Sequence, residues 1–247
     1  MIECRIVPHR ADDGPANMAI DEALLASAAA SDRAVFRTYT WSVPTLSLGY
    51  FQPMALAEAE PRWRDVPIVR RSTGGGALWH DREITYALAI PASHPLARRS
   101  AELYRAVHSA IAALLGSLGL VAHRRGEDSA TLDGPRPFLC FADRDAEDLV
   151  SGRDKLVGSA QRRRARAVLQ HGSILLGRSS RTPELPGASD IGPVDDDPDR
   201  WAERLAGAIP AALGLVPVAD RLSRDEMEEA DRLAESVYRD PAWNRKR

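Results

Sequence analysis

Two side chains near the middle of the chain could carry nucleophilic chemistry. Cys140 stands in PFLCFAD, and Lys155 follows in DKLVGSAQRRR. Lys155 is one of only two lysines among 33 Lys and Arg residues, the other being Lys246. A chain that writes arginine almost everywhere has reason to keep lysine where a compact, deprotonatable ammonium is needed, because a guanidinium does not do that work. A lone cysteine between apolar neighbours is ordinarily an inert small hydrophobe. It becomes a nucleophile when a nearby cation lowers a thiol pKa of about 8.5 toward neutrality. A hairpin through SGRD would bring Lys155 beside Cys140, and His171 in LQHGS competes for the same role. Cys4, in what reads as an edge strand at the N-terminus, fits the inert reading.

The second constellation is RRSTGGGALWHD, which runs from Arg70 to Asp81. Gly74, Gly75 and Gly76 would let backbone N–H groups approach a ligand and form an anion-binding concavity. The spacing is neither the dinucleotide fingerprint nor the P-loop. A hairpin turn with a bulge is the better reading of three bare glycines, and the adjoining arginines shift the balance toward a ligand. Arg70 and Arg71 are adjacent on a strand, so only one of them can point at a ligand. His80 is a site candidate or a polar strand end. RRRAR (162–166) reads either as a dock for an acidic partner or as a solvated hairpin tip.

These residues need elements to hold them. PANMAIDEALLASAAA (15–30) reads as a helix with Pro15 in its first turn. Residues 35–49 read as two short strands broken at Pro44, and 67–91 as strand, glycine turn and strand. Ile84, Tyr86, Leu88 and Ile90 alternate with Thr85, Ala87 and Ala89, the period of a strand with one face in the core. A helix over about 100–118 has Ser100 as its expected N-cap and Leu103, Val107, Ile111 and Leu114 as its apolar stripe, with Gly119 as the stop. LVAHR reads as a short strand and 128–138 as a loop. KLVGSAQ and VLQHGSILL read as strands joined through RRRAR, and 178–200 as a long surface loop. Helices are expected at 199–214, interrupted by Pro210, and at 224–239, where Ser223 and Glu226 form a capping box. The order suggests one α/β domain with a mixed or antiparallel sheet.

Composition sets the bounds. The 247 residues suffice for a substantial core, and a net charge of −2 gives no reason to expect a nucleic-acid partner. No apolar run is long enough for a membrane span. MIECRIVPHRADDG lacks the apolar stretch of a secretory signal. Two cysteines make neither a disulfide framework nor a zinc site, so a reducing, cytoplasmic location is expected.

RRSTGGGALWHD, KLVGSAQRR and LQHGSILL, in that order, resemble the biotin/lipoate protein ligase superfamily. NMAIDEALL, PTLSLGYFQ and YRDPAWNRKR extend the likeness over about residues 15–245. The resemblance implies an α/β domain of the class II aminoacyl-tRNA synthetase/biotin–lipoate ligase type, in which a larger mixed sheet packs with a smaller sheet and helices. It also implies that residues 1–247 form one catalytic domain. Cys140-Phe141 shortly before Lys155-Leu-Val-Gly158-Ser-Ala-Gln161 is most similar to the cysteine-dependent, Bacillus-type octanoyltransferases. That likeness implies Cys140 as the nucleophile and Lys155 as its partner. Arg70, Arg71, Gly74, Gly75, Gly76, His80, Gly158, Ser159, Ala160, Gln161, His171 and Gly172 would then bind substrate. Backbone N–H groups at 158–160 are candidates for holding an oxyanion, and Tyr39, Trp41 and Leu48 for the acyl wall. The implied donor is octanoyl-acyl carrier protein and the implied acceptor a lipoyl domain or glycine-cleavage H protein, with no cofactor. ATP and Mg would enter only if the chain were instead a lipoate–protein ligase. An amidotransferase between lipoyl proteins, or a non-catalytic carrier-binding protein, are the other readings. Thr73 replaces the family's serine before the glycines, and ADRDAEDLVSGRD is more charged than the family segment.

Overall fold

A computed structural model describes residues 1–126, 137–142 and 145–246. Among them, eight strands form one sheet in the order β11-β1-β2-β6-β10-β9-β8-β7, and three form a smaller one in the order β4-β3-β5. The large sheet comprises β1 (Glu3–Asp12), β2 (Ala34–Trp41), β6 (Glu83–Pro91), β7 (His123–Arg124), β8 (Leu149–Ser151), β9 (Asp154–Arg164), β10 (Ala167–Leu175) and β11 (Val216–Ala219). The small one comprises β3 (Thr45–Leu48), β4 (Ile68–Arg70) and β5 (Leu78–His80). Both are mixed: β1 runs parallel to β11 and β2, and β3 runs parallel to β4, while the other pairings are antiparallel.

Helices cover both faces of the large sheet. Helix α1 (Gly14–Ser31) and α6 (Arg224–Leu233) pack on one side, and α3 (Ser100–Ser117) with α5 (Pro198–Ala212) on the other. Shorter helices are α2 (Met54–Glu58), α4 (Ala188–Ile191) and α7 (Pro241–Asn244). Local signals explain the boundaries. Asp13 caps α1 through the Ala16 N–H at 2.9 Å, and the Ser223/Glu226 capping box of α6 is closed in both directions. Gly119 adopts φ +86° just past α3, the left-handed stop expected of glycine there.

Several expectations need correction. β6 is buried on both faces: Ile84, Tyr86, Leu88 and Ile90 meet the α3/α5 core, and Ala87 and Ala89 meet α1. The small residues are there because a helix packs on them, not because water does. β1 lies inside the sheet between β11 and β2, so Cys4 is not on an edge. It is fully buried, and burial pushes its thiol up to about 12. Arg99 rather than Ser100 precedes α3, with no side-chain cap; the Ser100 hydroxyl instead accepts from Arg163 at 2.9 Å. Leu115, not Leu114, completes the buried stripe of α3. Only His123–Arg124 of LVAHR is strand. The stretch 178–200 contains α4 and the buried Ala188 and Val194. Helix α5 continues through Pro210 to Ala212. Most of the loop expected at 128–138 lies outside the described residues. No described helix is long and apolar enough to cross a membrane.

Candidate active site

Cys140 is held against the glycine segment by two backbone hydrogen bonds. Its N–H donates to the Ala77 carbonyl at 2.7 Å, and the Ala77 N–H donates to the Phe138 carbonyl at 2.9 Å. This close approach depends on Gly76, where a Cβ would stand 2.9 Å from the Cys140 nitrogen and 3.0 Å from its Cα. The hairpin β8–β9 delivers the other partner. Lys155 Nζ lies 3.5 Å from Cys140 Sγ, 2.8 Å from the Cys140 carbonyl oxygen and 2.7 Å from Asp148 Oδ2. Gly158 leaves the space this side chain occupies, since a Cβ there would meet Lys155 Cε at 3.0 Å.

The protonation of this cluster follows from its geometry. Three acceptors surround Nζ, and an ammonium has three N–H groups to give them. Burial alone pulls the Lys155 pKa down, but the charges of Cys140 and Asp148 outweigh it, and the net direction is upward. Burial pushes the Asp148 carboxyl up against the pull of Lys155. The pair is an ammonium and a carboxylate, because Nζ faces three acceptors and donates to each of them. His171, the competing partner, is engaged elsewhere. Its Nδ1 faces Asp21 Oδ2 at 2.9 Å and its Nε2 faces the Thr73 hydroxyl at 2.8 Å. Burial raises the Asp21 carboxyl, yet Arg37 and His171 hold it below the usual range. Arg37 donates to Asp21 at 2.7 and 2.9 Å.

Cys140 opens onto a cavity whose empty space, the solvent at its mouth included, is about 400 Å³. Met18, Tyr39, Trp41, Leu78 and His80 form part of its wall. Arg71, Gly74, Gly75, Gly158, Ser159, Ala160, His171 and Gly172 also line it. Trp41 stacks on His80 with ring centroids 3.8 Å apart, and burial lowers the His80 pKa despite the Glu83 carboxylate at 3.1 Å. His80 Nε2 meets the Ser47 hydroxyl at 2.8 Å, which also accepts from Arg71 at 2.6 Å. Arg71 is fully buried, and burial pulls its pKa down to about 10, against the charges of Cys140 and Tyr39. Its other partners are the carbonyls of Ser47, Gly74 and Gly76. It is therefore a cation at neutral pH on the cavity wall. Lys155 lines a second hollow, with Phe141, Asp148 and Arg153, so the Cys140–Lys155 pair stands in the partition between two concavities.

Four expected residues sit apart from the cavity. Arg70 points the other way and donates to the carbonyls of Gly49, Gln52 and Asn244, tying the C-terminal segment to the small sheet. Gln161 donates to Gln170 and to the Ser100 carbonyl. Gly76 contacts the Cys140 backbone rather than the cavity. Leu48 belongs to the core under the small sheet. Within RRRAR, Arg162 donates to the Ser72 carbonyl at 2.7 Å, Arg163 to Ser100, and Arg164 pairs with Glu22. These three arginines hold the hairpin to its surroundings. The Ser159 N–H, one of the expected oxyanion donors, is taken by the Tyr104 hydroxyl at 2.9 Å. Asp148, Asp21, Tyr104 and His108 were not singled out by sequence. The available signals were the excess charge of ADRDAEDLVSGRD, in which Asp148 stands, and the place of His108 in the apolar stripe of α3.

Comparison with known proteins agrees with this fold. The family described as lipoyl protein ligase A/B catalytic domain matches residues 13–182. Octanoyltransferase LipM of Symbiobacterium thermophilum is 35% identical, over 94% of each chain. Octanoyltransferase LipM of Bacillus subtilis is 38% identical over 65% of this chain and 60% of its own length. Among solved structures, protein Ta0514 of T. acidophilum with bound lipoic acid superposes over 100% of both chains with a TM-score of 0.79 at 22% identity. Lipoate-protein ligase A bound with ATP covers 99% of both chains with a TM-score of 0.78, also at 22% identity. At such identities the likeness concerns the fold, and the fold is that of the lipoate–protein ligases.

Proposed function

We propose a function from one premise: this chain belongs to the lipoyl protein ligase A/B catalytic domain family. Within that family we read it as an octanoyltransferase of lipoate biosynthesis that works through Cys140. The observation that carries this reading is the Lys155 ammonium 3.5 Å from Cys140 Sγ beside a mainly apolar cavity. A ligase that forms an acyl-adenylate has no need of a thiol against its lysine.

The donor is an octanoyl thioester on an acyl carrier protein, and the acceptor is a lysine of a lipoyl domain or glycine-cleavage H protein. In the first half-reaction Cys140 Sγ attacks the donor carbonyl. The new S–C bond forms, the carrier's C–S bond breaks, and the carrier thiol leaves with the proton released by Cys140. Splitting the transfer lets the first carrier depart before the second arrives. In the second half-reaction the acceptor amine attacks the octanoyl–Cys140 carbonyl. The amide forms, the Cys140 C–S bond breaks, and the amine's proton passes to the sulfur, with Lys155 as the group in reach to relay it. The ammonium also stabilises negative charge on sulfur whenever Cys140 is the thiolate. The donor is already activated, so the reaction consumes no ATP and needs no metal or cofactor. Met18, Tyr39, Trp41 and Leu78 suit an alkyl chain, while Arg71 suits the polar carbonyl end. We take residues 1–247 as one catalytic unit, supported by β11 pairing with β1 and by Asn244 bonding to Arg70. The same reading places the enzyme in the cytoplasm with its carriers.

Intact-mass measurement after mixing with octanoyl-acyl carrier protein tests this. The expected adduct is about 126 Da, lost in Cys140→Ala and discharged by an apo lipoyl domain. No adduct, or one that persists in Cys140→Ala, sinks the reading. Release of pyrophosphate from ATP and octanoate by Cys140→Ser would select the ligase instead.

A further inference from the structure

The apolar stripe of α3 contains one polar ring. His108 is fully buried among Leu103, Val107, Ile111 and Leu115. Its Nδ1 lies 2.6 Å from the Glu147 carbonyl oxygen and its Nε2 lies 2.7 Å from Ser159 Oγ. A carbonyl only accepts, so Nδ1–H donates to it and Nε2 accepts the Ser159 hydroxyl proton. The Ser159 hydroxyl in turn accepts from Tyr86 at 2.6 Å, and Tyr86 accepts from Gln170 at 3.2 Å. One turn earlier on α3, the Tyr104 hydroxyl donates to the Ser159 carbonyl at 2.5 Å and accepts its N–H. Ser159 is thereby fixed by both its backbone and its side chain.

The two ends of the His108 ring touch different parts of the site. Ser159 is on β9, the strand that carries Lys155 and Gly158 and lines the Cys140 cavity. Glu147 immediately precedes Asp148, the carboxylate bonded to Lys155. We propose that His108 is a positioning residue for the Lys155 ammonium: through Nδ1–H it ties the Glu147–Asp148 segment to α3 and so sets where Nζ stands relative to Cys140 Sγ. The inference rests on the octanoyltransferase reading for its consequence in catalysis, but the bracing can be measured without any acyl donor. Burial lowers the His108 pKa to about 4, and the opposing pull of Glu147 does not restore it, so the ring is neutral and its donor and acceptor stay assigned. The charged groups facing it are Glu147, Lys155 and Asp145. Glu147 is itself held from outside by Arg105 at 2.8 Å and Arg124 at 3.1 Å.

Three substitutions separate this role from packing. His108→Phe fills the space and loses both bonds. His108→Asn puts an amide N–H where Nδ1 stands and keeps the bond to Glu147. His108→Gln reaches Ser159 and abandons Glu147. The readout is the pH profile of Cys140 alkylation by iodoacetamide, with peptide mapping to separate Cys140 from the buried Cys4. His108→Phe and His108→Gln are expected to move the midpoint upward by about one unit, a rate loss of about tenfold below the midpoint, while His108→Asn stays near the parent. Coincident profiles for all variants would overturn the inference, whatever happens to the melting temperature. So would equal shifts in His108→Asn and His108→Gln. If the Phe variant does not fold, the Asn/Gln pair decides alone. Absence of an octanoyl adduct in the unmodified protein would sink the enzyme reading and leave these profiles interpretable.

Discussion

Gly76→Ala is the most direct test of how Cys140 is held. The alanine Cβ would stand 2.9 Å from the Cys140 nitrogen, 3.0 Å from its Cα and 3.2 Å from the Phe138 carbonyl oxygen. All three are backbone atoms, so no side chain can rotate away. Reaching an ordinary contact requires the Cys140 segment to retreat by about 0.5 Å. Gly76 has no positive φ, so alanine brings no backbone strain and the effect is steric alone. The retreat pulls on the bond from Cys140 N–H to Ala77 (2.7 Å) and on that from Lys155 to the Cys140 carbonyl (2.8 Å). Overpacking of this kind costs about 1–3 kcal/mol of stability. Because an ångström of misplacement can cost about a hundredfold, half of that should slow octanoyl-adduct formation about tenfold. The assay is the rate of the adduct by rapid quench and intact mass, with Gly116→Ala as control, since a Cβ there meets nothing within 4 Å. A Gly76→Ala enzyme that acylates within about twofold of the parent, with an unchanged folding transition, would refute the argument that glycine is needed for sulfur placement.

Two further outcomes follow from the buried charges. Lys155→Met leaves Asp148, whose side chain is 3% exposed, without its cation, which should cost about 3–5 kcal/mol in denaturant unfolding. Adding Asp148→Asn should restore most of that stability without restoring the adduct, and a double variant that acylates normally would remove Lys155 from the mechanism. His108 has a folded pKa of about 4 against about 6.5 in the unfolded chain. Its contribution is therefore complete above about pH 6.5 and is lost as pH falls through about 4, a difference of about 3 kcal/mol. Unfolding curves of the parent should weaken more over that window than those of His108→Phe, and parallel curves would show that the ring is not held neutral.

The sequence made the scaffold legible wherever one segment's pattern depends on one neighbour. The alternation in β6, the capping box at Ser223 and the glycine stop at Gly119 are local and appear where they were expected. The errors came from what packs on a segment. Ala87 and Ala89 read as the free face of a strand, yet they are small because α1 rests on them. Ser100 has the chemistry of a cap, but its hydroxyl is claimed by Arg163, 63 residues away.

The site divides along the same line. Scarcity pointed to Lys155, whereas Cys140 stood out from an inert cysteine only through the resemblance of Cys140-Phe141 to a family motif. The resemblance pointed to Thr73, His171, Ser159 and Arg70, but nothing marked what each of them bonds to. Thr73 meets His171 across 98 residues, Tyr104 meets Ser159 across 55, and Arg70 meets Asn244 across 174. Each of these partners is also a common surface or core residue, so neither type nor spacing singles it out. His108 is the sharpest case: its position in the α3 stripe predicts burial, and burial of an imidazole requires two partners. A polar ring in an apolar stripe is thus a readable demand for hydrogen bonds, although only the fold says that the demand is met by Ser159, on the lysine's own strand, and by Glu147, next in the chain to the lysine's carboxylate.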